Sequence, residues 1–156
     1  HIGSPKFEPV LNDGYKELPE LEPDLKKSQE LIMWADHLVI FNPTWWATPP
    51  ALFKAFSERA FLPGFAYQYK KSKKIVAWDK LLLGKSARFV FTMDTPPWFF
   101  KLVIGNPAGK MMKDVLGFCG IKPVKSTYFG SVKMSTPKKR EKWLNKIYKA
   151  GLKDAS

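Results

Sequence analysis

His37-Leu38-Val39-Ile40-Phe41-Asn42, running into Pro43-Thr44-Trp45-Trp46 and then Thr48-Pro49-Pro50-Ala51-Leu52, is the stretch that decides the fold. The apolar run reads as a buried strand. Thr48 suits a helix N-cap and Pro49 the first helical position, so a helix is expected to follow at once. Two tryptophans are thereby left in a short loop at the carboxyl end of a strand. In open α/β sheets that edge is where ligands bind. A loop with two indoles and several backbone N–H groups suits a large, flat, partly polar ring.

Working outward, residues 1 to 23 carry Pro5, Pro9, Pro19 and Pro23 and little periodicity, which reads as irregular chain. Asp24 to Ala35 reads as a helix, with Leu25, Ser28, Ile32 and Ala35 at helical spacing and Pro23 suited to its first turn. After Thr48, the residues Leu52, Phe53, Phe56 and Ala60 form one apolar face, with Glu58 and Arg59 off it, and Pro63-Gly64 stops the helix. A polar, aromatic-bearing connection is expected from Phe65 to about Lys80. Ala87 to Met93 is the second strong strand. Asp94 to Pro107 reads as a long loop, a length that usually carries function. Lys110 to Cys119 reads as a helix with Met111, Val115 and Phe118 in register and Gly120 as its stop. Ser126 to Val132 is the third strand. The last helix begins at Thr136 and Pro137 and aligns Trp143, Leu144, Ile147, Tyr148 and Leu152. Lys138, Lys139 and Arg140 crowd its positive end, which the helix dipole disfavours. Strands alternating with helices imply a parallel sheet with right-handed crossovers. Three strands make a narrow sheet of this kind, and a strand–helix–strand unit is expected to be missing from the front.

With 156 residues the chain fits one domain, and 45% hydrophobic residues is ordinary for a globular protein. No run approaches the roughly 18 apolar residues of a membrane span. One cysteine, Cys119, rules out an internal disulfide, so a reducing cytoplasm is the default expectation. The net charge is +12, which favours nucleic acid, anionic lipid or a phosphorylated cofactor, or is simply a solvated basic surface. The basic residues spread over Lys70-Lys71, Lys73-Lys74, Lys138-Lys139-Arg140 and single sites. With no zinc-finger spacing and no aromatic-basic RNA signature, nucleic acid is an unlikely partner on this reading.

Eight segments carry a family resemblance. They are Ala35-Asp36-His37-Leu38-Val39, Pro43-Thr44-Trp45-Trp46, Pro50-Ala51-Leu52-Phe53-Lys54, Glu58-Arg59, Pro63-Gly64-Phe65-Ala66-Tyr67, Gly84-Lys85, Thr92-Met93-Asp94-Thr95-Pro96 and Phe118-Cys119-Gly120. In this order and spacing the chain resembles the flavodoxin-like NAD(P)H:quinone oxidoreductases. The resemblance implies a three-layer α/β sandwich, a parallel sheet of order 2-1-3-4-5 whose third to fifth strands are those seen here. It implies one flavodoxin-like domain over residues 1–156, incomplete at its N-terminus, without the first strand, phosphate-binding loop, first helix and second strand. It implies FMN or FAD as cofactor and NAD(P)H as electron donor. Pro43, Thr44, Trp45 and Trp46 would lie along the flavin ring, with Thr92, Met93, Asp94 and Thr95 approaching from the next strand. Tyr67 and Tyr69 match tyrosines that reach across a homodimer interface to the partner's substrate pocket, and Phe118 matches an aromatic near that pocket.

Each position also has a plainer reading. Trp46 has a lesser reading as a core tryptophan capping the following helix, Asp94 one as a cap for the turn before Pro96-Pro97, and Thr92 one as an ordinary strand end. Tyr67 and Tyr69 would serve as interface packing, Phe118 as core, and Cys119 as an inert buried thiol. Human-type quinone reductases relay a proton through a tyrosine and a histidine after the fourth strand. The corresponding segments here, Trp98-Phe99-Phe100 and Gly105-Asn106-Pro107, hold neither, and His1 and His37 lie elsewhere. Water would then protonate the product. The activity the resemblance implies is hydride transfer from NAD(P)H through flavin N5 to a quinone or similar acceptor, with ping-pong kinetics. The alternative is a non-catalytic flavodoxin-like binding or regulatory subunit that has lost the flavin phosphate site.

Overall fold

The structure is a computed structural model and describes residue 3 and residues 6–11, 14–15, 20–71 and 75–155. His1, Pro5, Pro19 and the Lys73-Lys74 pair lie outside the described residues. The chain runs through α1 (Pro23–Trp34), β1 (His37–Pro43), α2 (Ala51–Ala60), β2 (Tyr67–Tyr69) and β3 (Trp78–Lys80). It continues through β4 (Ser86–Thr92), α3 (Pro97–Leu102), α4 (Pro107–Cys119), β5 (Val124–Phe129) and α5 (Pro137–Asp154).

The three long apolar runs pair as expected into a parallel sheet of order β1-β4-β5. The register joins His37 to Ser86 through Pro43 to Thr92, and Ala87 to Val124 through Thr92 to Phe129. Because side chains alternate along a strand, β4 sends Ala87, Phe89 and Phe91 to one face, all fully buried. There Phe89 meets Phe53 of α2 edge-on at 6.4 Å and stacks on Phe91 at 5.7 Å. Phe100 of α3 and Met112 and Leu116 of α4 complete that core. The other face belongs to α5. Trp143 stacks on Phe129 at 5.1 Å, and Asp154 is gripped by Arg88 and Lys125. Helices therefore cover both faces, the three-layer α/β class read from the sequence. α5 reaches β1 through Asp154, 3.5 Å from His37 Nε2, yet Val39 and Phe41 further along β1 remain exposed on that face.

The start of α5 shows why its basic run is tolerated. Thr136 accepts the Lys139 N–H at 3.2 Å as the expected cap. Arg140 donates to the Ser135 hydroxyl at 2.8 Å, and the Lys139 ammonium lies 5.4 Å from the Trp143 ring centre. These contacts offset the unfavourable dipole. Gly120, with φ 103°, ends α4 in the left-handed conformation that glycine adopts without steric cost.

Several elements differ from the sequence reading. α2 starts at Ala51 with Pro50 as its cap, because Thr48 closes a turn back onto Trp45 instead. The buried line of α4 is Met112, Leu116 and Cys119, one position round from Met111, Val115 and Phe118. That helix is apolar over a wide arc, so spacing alone does not choose its deepest edge. Residues 65–80 contain the antiparallel hairpin β2–β3, whose strands of three residues are too short to show a period. The loop expected at 94–107 contains α3. On α5, Leu144, Tyr148 and Leu152 are exposed, and Trp143 and Ile147 alone of the expected stripe turn inward. Arg59, expected off the apolar face, is 2% exposed. Its guanidinium donates to the Glu8 carbonyl at 2.8 Å and the Glu22 carboxylate at 2.7 Å, tying the N-terminal segment to α2.

The Asp154 carboxylate accepts from Arg88 through both oxygens and from Lys125 at 2.8 Å. The Arg88 hydrogen bonds, with Lys125 behind them, hold its pKa well below the usual aspartate range despite burial. A depressed folded-state pKa contributes stability above the unfolded value, near 3.9, and that contribution fades as pH falls below it. Asp154→Asn is expected to cost about 2 kcal/mol at neutral pH. In urea titrations the gap to the parent should narrow below about pH 4. A gap constant with pH would exclude this role.

Candidate functional site

The β1–β4 register sets two strand ends side by side at the carboxyl edge of the sheet. Pro43 pairs with Thr92, and the Thr44 N–H donates to the Thr92 carbonyl at 2.8 Å. Beyond them the chain folds into a tight turn. Trp45 N–H donates to the Thr48 carbonyl at 2.8 Å and Thr48 N–H returns to the Trp45 carbonyl at 3.0 Å. The two central residues both have positive φ, 48° at Trp46 and 64° at Ala47. That geometry normally selects Asn-Gly, and an L-residue with a β-carbon is disfavoured there by about 1–2 kcal/mol. Trp46 is 100% exposed and Trp45 largely so. The chain thus holds a strained backbone that presents an indole to solvent, the reverse of a core tryptophan. Strain of this kind clusters at functional sites.

The polar groups around the turn are incompletely used. Among the described residues, no hydrogen bond takes the backbone N–H of Trp46, Ala47, Asp94 or Thr95. Asn42 is 5% exposed, yet neither its amide nitrogen nor its oxygen has a partner, and the buried Thr44 hydroxyl has none either. Buried polar groups are almost always paired, so three unpartnered atoms on Asn42 and Thr44 make this edge a candidate ligand site. Asn42 was not singled out in the sequence. Its signal was there, a lone amide closing an apolar strand. The Asp94 carboxylate is already engaged, accepting the Lys133 N–H at 2.9 Å. Met93 buries its side chain, donates its N–H to the Phe129 carbonyl at 2.9 Å and accepts from Val132 N–H at 3.2 Å. Thr92 and Pro43 are exposed, and Thr95 is half-buried. Gly130 allows the loop after β5 to lie against this tip, since a β-carbon there would fall 2.3 Å from the Thr95 carbonyl oxygen.

Tyr67, Tyr69 and Phe118 come together in one aromatic cluster. Tyr67 meets Phe118 at 4.9 Å and Tyr69 at 5.4 Å, and Phe118 stacks on Trp78 at 4.5 Å. The Trp78 indole N–H fixes the arrangement by donating to the Phe118 carbonyl at 3.0 Å. Tyr67 and Phe118 line a cleft of about 400 Å³ together with Tyr15, Phe61 and Val115. Burial raises the Tyr67 hydroxyl to about 12 and the Cys119 thiol to about 11, so both are protonated and Cys119 is inert. Phe118 lies in the last turn of α4, just before the chain enters β5. The cluster therefore sits at the amino edge of the parallel sheet, opposite the two strand tips. Among the described residues no group of three or more His, Cys, Asp or Glu side chains is placed to hold a metal ion.

The profile of the Flavodoxin_2 family, a flavodoxin-like fold, matches residues 1–150. The chain is similar to an NAD(P)H oxidoreductase of Haemophilus influenzae, itself named uncharacterized, with 25% identity over 145 residues, 86% of this chain and 67% of that protein. It is similar to NAD(P)H dehydrogenase (quinone) 1 of Cavia porcellus over 56 residues at 42% identity, 36% of this chain and a 20% share of that protein. Its structure is similar to the crystal structure of Smu.1420 from Streptococcus mutans UA159, with TM-score 0.74 and 36% identity over 92% of this chain and 76% of that one.

Trp46 is strained and touches nothing, so Trp46→Gly is expected to stabilise the fold by about 1 kcal/mol, read from the urea midpoint. A loss of stability would show that the turn is not strained. Asn42→Leu removes two orphaned polar atoms at similar volume and should likewise stabilise the fold by about 1 kcal/mol, read as a higher urea midpoint. A lower midpoint would mean that Asn42 has a structural partner.

Proposed function

The chain belongs to the Flavodoxin_2 family, and we propose that it is a flavin-dependent NAD(P)H oxidoreductase that reduces a quinone or similar acceptor. The observation that supports this most is the strained, fully exposed Trp46 beside four unclaimed backbone N–H groups at two adjoining strand tips. A planar ring with carbonyl and nitrogen acceptors along one edge fits such a rim. FMN and FAD share that ring.

The chain's own residues bind and orient. The N–H groups of Trp46 and Ala47 from one tip, and of Asp94 and Thr95 from the other, are donors for a ring edge that gains negative charge on reduction. They are fixed before any ligand arrives, because Thr44, Trp45 and Met93 have already tied the backbone down. The indoles of Trp45 and Trp46 supply flat apolar contact and exclude water from one side. Asp94 acts through its contact with Lys133, holding the tip in place. Thr44, Thr48, Thr92 and Thr95 are the hydroxyl side chains of these two tips and none is acidic at neutral pH, so solvent supplies the product's proton. Bound here, a flavin would supply two-electron hydride chemistry. The basic surface favours the 2′-phosphate of NADPH.

Tyr67, Tyr69 and Phe118 belong to this site only if a second copy supplies them, since within one chain they lie at the opposite sheet edge. A homodimer follows from the reading.

Purified protein mixed with FMN or FAD should show a shifted flavin absorbance band. It should oxidise NADPH with a soluble quinone, giving parallel lines in double-reciprocal plots. Trp46→Ala should weaken flavin binding by up to about tenfold, the equivalent of one aromatic contact. Unchanged affinity would remove Trp46 from the ring. No flavin binding by the parent would overturn the oxidoreductase reading in favour of a non-catalytic module.

A further inference from the structure

A second cleft, of about 740 Å³, shares Phe118 with the first and opens beside Val124, where β5 begins. Trp78, Lys80, Lys113, Asp114 and Lys122 complete its working lining. Phe118 and Trp78 stack at 4.5 Å with their planes 19° apart, which makes one wall flat and aromatic. α4 brings Lys113 and Asp114 to the same side, each one turn before Gly117 and Phe118. A cleft of this volume accommodates a small organic ligand.

The three lysines have no structural task here. Cations often settle at a helix C-terminus because its last carbonyls lack partners. At the end of α4 those carbonyls are already taken by neutral donors. Leu116 accepts the Ile121 N–H at 2.9 Å, Gly117 the Gly120 N–H at 3.3 Å and Cys119 the Leu82 N–H at 3.0 Å. Phe118 accepts the Trp78 indole N–H at 3.0 Å. Among the described residues no hydrogen bond or ion pair takes the ammonium of Lys80, Lys113 or Lys122, or the carboxylate of Asp114. Two of the stems are nonetheless placed by glycines of α4 and its cap. A β-carbon on Gly120 would fall 3.0 Å from Lys80 Cβ, and one on Gly117 3.5 Å from Lys122 Cε. Three uncommitted like charges around one cavity repel each other and favour an anion of several charges.

We propose that this cleft binds a nucleoside diphosphate. The base lies against the Trp78–Phe118 wall, where stacking gives affinity without choosing among bases. Lys80, Lys113 and Lys122 meet the diphosphate. Its charge is roughly threefold negative at neutral pH, since the terminal group loses its second proton near about pH 6. Asp114, the one acid of the lining, accepts from a ribose hydroxyl. Two sources carry this chemistry: a free nucleotide, and the adenosine diphosphate end of a nicotinamide dinucleotide. The cleft lies at the sheet edge opposite the strand tips. The dinucleotide source therefore needs the ring site of a second copy, and in that part alone the inference rests on the oxidoreductase reading.

The test is calorimetric titration of the full chain with ADP, without added flavin. ADP is expected to bind, and ribose 5-phosphate to bind at least about tenfold more weakly for want of a base. Lys113→Gln with Lys122→Gln should weaken ADP binding at least about tenfold. The thermal midpoint should not move, since both side chains are exposed and unpaired. Lys138→Gln with Lys142→Gln removes the same charge from α5 and should change ADP binding by less than about twofold, because salt screens distant charges. Failure of ADP to bind, ribose 5-phosphate binding as tightly as ADP, or equal losses from the two lysine pairs would each overturn the proposal. Steady-state kinetics with a quinone then separate the sources. A raised KM for NADPH and NADH at unchanged kcat in the Lys113/Lys122 variant assigns the cleft to the dinucleotide, and an unchanged KM assigns it to a free nucleotide. An active oxidoreductase that ignores ADP would keep the earlier reading and sink this one. A chain that binds ADP but no flavin would do the reverse.

Discussion

The parallel register between β1 and β4 is the constraint on which the rest depends. It brings Pro43 level with Thr92, and every property of the carboxyl edge follows from that alignment. The Thr44 N–H can reach the Thr92 carbonyl only in this register. That bond in turn fixes where the Trp45–Thr48 turn starts. Slipping β4 by one residue would send Phe89 and Phe91 to the α5 face and Arg88 into the aromatic core. The aromatic cluster of Phe53, Phe89, Phe91 and Tyr128 therefore maintains the site's geometry without touching it.

The two sheet faces are stabilised by different physics. The α2–α4 side is a dry aromatic and aliphatic core, in which burial of apolar area dominates. The α5 side carries polar residues, with Arg88, Lys125 and Asp154 beneath the end of the helix and a single aromatic stack, Trp143 on Phe129, near its start. No residue of α5 is fully buried. Its attachment therefore depends more on pH than that of any helix on the opposite face. It also leaves Val39 and Phe41 of the edge strand exposed.

The sequence disclosed whatever its own local pattern determined. The apolar run from His37 named a strand, Thr136-Pro137 named a helix start, and Gly120 named a stop. The alternation of these elements implied a parallel sheet. What it hid depended on partners distant in the chain. Arg59 reads as lying off the apolar face, and its burial is not legible because its acceptors, Glu8 and Glu22, come from the segment before α1. α3 was hidden because a helix of 6 residues with one charged side chain, Lys101, is too short to show a period. At the candidate site, two tryptophans in a strand-end loop were legible. The positive φ at Trp46 and Ala47 was not, because neither residue type announces it; an Asn-Gly in the same place would have. Thr48 has the chemistry of a cap, but its hydroxyl donates to the Trp45 carbonyl at 3.2 Å and serves the turn.

The strained turn and the apolar helix are parts of one construction. From Thr92 the chain passes through Met93, Asp94 and Thr95, and Pro96-Pro97 begins α3 immediately. Gly130 admits the Thr95 carbonyl and Pro97 ring against the loop after β5, and Asp94 fastens the same loop through Lys133. With so little slack, the ring-binding edge and the outer face of α3 cannot reorient independently.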